Sequence, residues 1–354
     1  MRIVAGAALL ACICLAPASA QIKVARFKQN PLITPRTSRS LGTNVNGPTV
    51  IRVPDWVQRP LGRYYMYFGN HMGEFIRLAY ADDLAGPWKI HEPGVLHVRD
   101  TAMFRPGPDP KETLEDFYTH IASPEILIDR GQRRFVMWFH GWWTKGERWP
   151  ADPAAARAWA QKNGYSQFTQ AAMSTDGLQF DVEPAITRTP YLRVFQHDGY
   201  YYGVSRLGRL SRSKDPLASF ELGPNPFRDG PYAGRIRHVA LMLRGSRLYV
   251  FFTAIGDTPE RVMLSTIDLA GEWTTWRASA AIDVIQPETA YECTNLFNQP
   301  SEAGDIAIPV RQIRDPFLFE EGGRAFLFYS ICGEQGIAAG EITGMLSPDV
   351  RLAP

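Results

Sequence analysis

One pattern of short strands recurs five times along the chain and limits what it can fold into. Each copy opens with a short apolar strand. A turn follows, then a strongly aromatic strand, a third strand of small and apolar residues, a turn, and a looser fourth strand. The openings are Gly47-Pro48-Thr49-Val50-Ile51, Ser123-Pro124-Glu125-Ile126-Leu127, Thr189-Pro190-Tyr191-Leu192, Arg237-His238-Val239-Ala240-Leu241 and Asp315-Pro316-Phe317-Leu318-Phe319. The aromatic strands that follow include Tyr64-Tyr65-Met66-Tyr67-Phe68, Phe135-Val136-Met137-Trp138-Phe139 and Ala325-Phe326-Leu327-Phe328-Tyr329. Asp198-Gly199 and Gly322-Gly323 stand between β-prone runs, where they read as hairpin turns.

The second strand of each unit is apolar on both faces, so it must be buried on both. An isolated four-stranded sheet leaves one face in water; sheets stacked radially leave neither. The opening strand is shorter and plainer, as suits a crowded axis. In four of the five openings a proline (Pro48, Pro124, Pro190 or Pro316) sits near the first position, where a missing N–H costs least. His238 holds that place in the fourth. The fold class predicted is all-β: one five-bladed β-propeller over 21–354, with four-stranded antiparallel blades and one short inserted helix. A β-sandwich is the competing architecture, and it gives no reason for a repeated four-strand order. The openings are unevenly spaced, which excludes a solenoid and places long insertions at 98–120, 141–168 and 283–312. The helix lies in the second of these, with Asp152 as N-cap, Pro153 in the first turn, Ala154 to Lys162 as body and Gly164 as the stop.

Composition narrows the function. Among 354 residues, Lys plus Arg is 38 and Asp plus Glu is 36, a formal net charge of +2. That balance speaks against nucleic-acid binding, which draws on a basic excess, and 45% hydrophobic residues speak against disorder. Residues 1–20 read as a secretory signal: Arg2, an apolar stretch from Ile3 to Leu15, then Ala18-Ser19-Ala20, with the mature chain starting at Gln21. Leu10-Ala11-Cys12 is a partial lipobox and offers a lipoprotein signal as the rival. No later segment has the run of apolar residues a membrane helix needs. A periplasmic or secreted location follows. Cys12 and Cys14 leave with the signal. Cys293 and Cys332 remain, either as a disulfide or as two buried thiols.

The five units, their Pro-marked openings and Gly86-Pro87-Trp88 after the first blade resemble the five-bladed propeller glycoside hydrolases, a superfamily that includes families 43, 32 and 117. The resemblance covers roughly residues 40–345, and no single family is matched. Arg314-Asp315-Pro316 resembles the Arg-Asp-Pro motif of the fructosidase group, and Glu292-Cys293 its Glu-Cys motif, but in reversed order. Where related enzymes place an Asp in the first blade, this chain has Asn46, which cannot act as nucleophile or base. The resemblance implies a carbohydrate substrate and, weakly, an inverting reaction.

Glycoside hydrolysis generally uses two carboxyl groups across the scissile bond, and a propeller presents such groups at the mouth of its axis. Asp315, flanked by Arg314, suits a base; its bland alternative is a strand-start Asp capping a turn. Glu125 is acid or base if it points into the mouth and an ordinary solvated residue if it does not. Glu292, in an aromatic loop, suits a general acid; its alternative is a surface carboxylate. His238 is a candidate acid, because some family 117 enzymes are thought to use a histidine. Asn46, His71, His120, His140, Trp142, Arg237 and Arg314 are candidate substrate contacts. Trp142, Trp143 and Trp149 either stack on sugar or pack over the helix. No His-x-His or Glu-x-x-His spacing points to a catalytic metal, no cofactor is expected, and a structural calcium stays open. No nucleotide-binding or serine-hydrolase motif is present. Three functions stand: an exported glycosidase, a non-catalytic carbohydrate-binding propeller, and a polysaccharide lyase using His with Tyr or Arg.

Overall fold

At Asp198-Gly199 and Gly322-Gly323 both turn residues have positive φ, the geometry of a type I′ hairpin whose twist matches that of its strands. The computed structural model describes residues 22–70, 73–104, 120–143 and 167–344, with Ala155, Ala158 and Lys162. Those last three are helical and exposed, in keeping with the inserted helix. The signal segment, Cys12, Cys14, His71, Trp149, Asp152, Pro153 and Gly164 lie outside the described residues.

Twenty strands, numbered along the chain, form five four-stranded antiparallel sheets. β1 (Lys23–Arg26) belongs to the last of them. The first blade is β2 (Asn46–Arg52), β3 (Tyr64–Gly69), β4 (Phe75–Ala81) and β5 (Lys89–His97). The second is β6 (Ala122–Asp129), β7 (Arg134–Trp142), β8 (Gln167–Ser174) and β9 (Asp181–Thr187). The third is β10 (Arg193–His197), β11 (Tyr200–Val204), β12 (Leu210–Ser213) and the short β13 (Glu221–Leu222). The fourth is β14 (Ile236–Arg244), β15 (Arg247–Ala254), β16 (Val262–Asp268) and β17 (Ile282–Ile285). β18 (Arg314–Glu321), β19 (Arg324–Ser330) and β20 (Ile337–Thr343) build the fifth, whose outer strand is β1, with Lys23 opposite Thr343 and Arg26 opposite Gly340. The chain's first described strand thus closes the ring, a role the repeat pattern did not assign.

The two-faced second strands occupy the blade interfaces. Along β3, Tyr65 and Tyr67 pack toward the second blade, while Tyr64, Met66 and Phe68 pack toward the fifth. β7 alternates likewise: Phe135, Met137 and Phe139 meet the first blade, and Val136 and Trp138 meet Leu192 and Phe220 of the third. The remaining interfaces hold Leu248, Val250 and Phe252 of β15 on one side and Tyr249 and Phe251 on the other. At about 25 cal/mol per Å² of apolar surface, these seams are the main source of stability.

The innermost strands β2, β6, β10, β14 and β18 each pack against the next and close on themselves around the axis. Four of them carry a bulge in the same place, leaving Gly47-Pro48, Ser123-Pro124, Arg237-His238 and Asp315-Pro316 out of register with the second strand. In the third blade the bulge position is not taken by Pro190 as the sequence suggested. Tyr191 has the left-handed backbone found at Gly47, Ser123 and Asp315, and β10 starts at Arg193. The residues just past these points, Thr49, Glu125, Arg193, Val239 and Phe317, form one ring about the axis.

Candidate active site at the axial mouth

The bulges explain why residues far apart in the chain meet. In four blades a left-handed residue (Gly47, Ser123, Tyr191 or Asp315) bends the strand at its opening. Arg237 holds the matching place in the fourth blade without that backbone.

Asp315 is buried. Its Oδ1 lies 2.7 Å from His238 Nδ1, and its Oδ2 accepts a hydrogen bond from the Ser330 hydroxyl at 2.8 Å. The Gly47 N–H donates to the same hydroxyl at 3.3 Å, tying the first blade to the fifth. His238 is buried, and that burial holds its pKa below the usual histidine value; the Asp315 carboxylate opposes the shift and Arg237 adds to it. An imidazole that is neutral near pH 7 and faces a carboxylate at Nδ1 carries its proton there, leaving Nε2 as an acceptor. Among the described residues Nε2 makes no hydrogen bond.

Beside His238 stands Tyr191, ring centroids 4.6 Å apart, and on the far side of Tyr191 lies His140, at 3.8 Å. His120 follows, 6.1 Å from His140. Gly141 leaves room for this neighbour: a Cβ there would collide with the His120 carbonyl. The row runs from the second blade through the third and fourth to the fifth. Tyr191 is half-buried while His120, His140 and His238 are buried. Burial raises the Tyr191 phenol above the usual tyrosine range; Arg206 and Arg237 pull it back and Glu334 and Asp315 push it further. Tyr191 was not among the candidates read from the sequence; only its position in the third opening pointed to it.

Arg314 departs from the role expected of it. Its guanidinium does not pair with Asp315; it reaches Glu260 at 3.0 Å, Glu334 at 3.2 Å and the Gln312 amide oxygen at 2.6 Å. Buried and enclosed by acceptors, it buttresses the site from behind. Asn46 belongs to the same network: its amide donates to Asn44 Oδ1 at 2.5 Å and to Glu334 at 3.2 Å. Arg237 pairs through Nε with Glu260 at 3.0 Å and donates to the Gly304 carbonyl at 2.9 Å. Glu260 and Glu334 have no recognisable motif, so sequence reasoning missed both.

Glu125 lies one layer down, on the axis. Arg193 Nη1 pairs with its Oε2 at 2.8 Å and donates to the Pro124 carbonyl at 2.6 Å and the Thr49 hydroxyl at 3.1 Å. Arg193 also donates through Nε to the Val239 carbonyl at 3.3 Å and lies over the Phe317 ring at 5.6 Å. One arginine therefore touches the inner strands of all four other blades. Burial raises the Glu125 pKa above the usual carboxylate value, against the pull of Arg193 and the Val194 N–H.

Glu292 lies elsewhere, between β1 and the loop at 286–292. Its Oε1 accepts from Arg26 Nε at 2.8 Å and from the Tyr329 hydroxyl at 2.9 Å, and its Oε2 accepts from Arg26 Nη2 and from the Glu288 and Thr289 N–H groups. Five donors on two oxygens make Glu292 a clamp on the closing strand β1. Cys293 and Cys332 are joined in a disulfide. Trp143 packs edge-on to Phe168 at the seam of the first two blades, and Trp142 is half-buried at the end of β7. Among the described residues no group of three or more His, Cys, Asp or Glu side chains could hold a metal ion.

The fold is that of the five-bladed propeller glycoside hydrolases. A family 43 enzyme of Xanthomonas citri solved with xylose superimposes with a TM-score of 0.55 at 13% identity, over 91% of this chain and 92% of that one. A structure from the family 130 mannoside phosphorylases, described as containing hydrolases of β-1,2 mannosidic linkages in Candida mannan, gives 0.58 at 13% identity, covering 96% and 98%. An α-L-arabinofuranosidase of Lactobacillus brevis gives 0.52 at 12% identity, covering 88% and 92%. No protein-family model matches the sequence. The chain belongs to one family with an uncharacterized protein of Acanthamoeba polyphaga mimivirus, to which it is 35% identical over 349 residues, 92% of this chain and 91% of its relative.

Proposed function

We propose that the protein is an exported glycoside hydrolase that cleaves a poly- or oligosaccharide at the axial mouth. His238, oriented by Asp315, takes a proton from the attacking water, and Glu125 protonates the departing glycosidic oxygen. The observation that carries this reading is the 2.7 Å contact of His238 Nδ1 with Asp315, which joins the fourth and fifth blades beside Tyr191 of the third. Asn46 cannot supply the base that related enzymes draw from the first blade, and a neutral imidazole held by a carboxylate fills that need from the fourth. Glu125, with its raised pKa, keeps a proton to a higher pH than an ordinary glutamate. A base acting on water gives inversion. Arg237, at the opening of β14, serves as a substrate contact. The Cys293–Cys332 disulfide agrees with an oxidising compartment, and so does the signal-like sequence of residues 1–20.

The test is incubation with a panel of neutral and acidic glycans, reading new reducing ends. Release that disappears in Asp315→Asn and His238→Asn, with wild-type circular dichroism, supports the assignment. Binding with no product favours the non-catalytic propeller. The Tyr191 phenol beside the His238 imidazole favours a second reading, a lyase that removes the α-proton of a uronic acid. Its product is unsaturated and absorbs in the ultraviolet, which a hydrolysis product does not.

A further inference from the structure

We infer that Tyr191 is the positioning residue for His238: its ring, held in a left-handed backbone between His140 and His238, fixes the plane in which the imidazole meets Asp315. The inference rests on the proposed reading only in requiring His238 to accept a proton.

Three observations carry it. First, positive φ is uncommon for any residue with a side chain and is an outlier for a bulky one, yet Tyr191 has φ 58. Such strain persists where the surroundings over-determine it and collects at functional sites. The equivalent openings carry Gly47, Ser123 and Asp315, so nothing in the blade architecture demands an aromatic ring there. Second, His238 has one polar anchor among the described residues, Asp315 at Nδ1. A single contact leaves the ring free to tip about it, and the Tyr191 face at 4.6 Å, tilted by 55°, supplies the second constraint. Third, Tyr191 is itself braced. His140 lies 3.8 Å behind it, and the Arg206 N–H donates to the Pro190 carbonyl at 3.2 Å, pinning the loop that carries it.

The groups that face His238 are Asp315, Arg237, Glu260 and Tyr191. Of these only Tyr191 is an uncharged π-face, which favours the imidazolium when a cation lies within about 6 Å of its centroid. Removing the ring therefore lowers the titration midpoint of His238 as well as loosening it.

The experiment has two arms. In the substrate-free protein, histidine-selective NMR follows the His238 ring through a pH titration. In turnover, kcat and KM are measured on the best glycan. Tyr191→Phe keeps the face and is expected to leave the His238 midpoint in place. Tyr191→Leu, and Tyr191→Asn, which tolerates the left-handed backbone, are expected to lower the His238 midpoint. They also cut kcat by about 10- to 100-fold, with KM within about twofold. Circular dichroism selects whichever of the two folds. An unchanged midpoint with an unchanged kcat overturns the inference, as does a loss confined to KM, which makes Tyr191 a sugar contact only. If wild type cleaves no glycan, the hydrolase reading fails while the titration arm still decides this one.

Discussion

Asp315, Glu125 and Glu292 entered as three similar acidic residues beside aromatic or proline-marked strands, and their neighbours give them three different chemistries. Asp315 orients an imidazole, Glu125 shares the axis with an arginine, and Glu292 locks a strand. Replacing Asp315 with Asn keeps the shape but turns the wrong atoms toward His238 Nδ1. Turnover should fall by about 10⁴-fold, as when a base loses its orienting carboxylate, with the thermal midpoint within a few degrees of wild type. Glu125→Gln should be rescued on an aryl glycoside whose leaving group needs no proton, but not on a natural glycan; equal loss on both substrates would deny Glu125 the acid role. The pH profile follows from the two shifts. His238 must be neutral, so activity rises with pH through a value below the ordinary histidine pKa of about 6.5. Glu125 must be protonated, so activity falls through a value above the ordinary glutamate pKa of about 4.3. A narrow optimum on the acid side of neutrality is expected in kcat/KM, and a plateau that continues through pH 8 would contradict it.

At the scale of elements, the closure of the ring depends on β1, and β1 depends on Glu292. Arg26 of β1 donates to Glu292, Glu288 and the Gln286 carbonyl, while the backbone of β1 completes the sheet on β20. The loop that holds Glu292 is stapled by Cys293–Cys332 to the turn after β19, which follows Ser330, the last residue of that strand, and carries Glu334 of the site. Glu292→Gln leaves Arg26 with only the exposed Glu288 as charge partner and should cost about 3 kcal/mol of stability. The kcat of the folded fraction should be unchanged, and a selective loss of kcat would return Glu292 to the mechanism. Replacing both cysteines with serine removes a cross-link across 39 residues and should cost up to about 4 kcal/mol, read from denaturant midpoints. Activity should also fall before the protein unfolds, because the stapled turn supports the site.

For the whole molecule the critical side chain is Arg193, which bonds or stacks to the inner strand of every other blade. Arg193→Met leaves Glu125 buried without a partner and should destabilise by about 3–5 kcal/mol, whereas the double variant with Glu125→Leu should recover most of that loss in a stable but inactive protein. If the double variant is as unstable as the single one, Arg193 holds the axis through its other contacts instead. The repeat made the blades legible because burial of a sheet on both faces leaves a one-dimensional signature: consecutive apolar and aromatic residues through Tyr64–Gly69 or Arg324–Ser330, with turn residues beyond the ends. Asp315, Glu125 and His238 were legible as candidates for the same reason, since each adjoins a recognisable strand opening. Tyr191, Glu260 and Glu334 were not, since a lone tyrosine and two glutamates carry no local mark of what they will face. The sequence by itself determined the number of blades, their strand order and which strands lie between blades, because alternation and turns act over a few residues. Only the tertiary structure decided that β1 closes the fifth blade, that Glu292 is a clamp, and that His238 meets Asp315. Each of these is a contact between residues distant in the chain, set by closure of the ring and by the left-handed backbone at its openings.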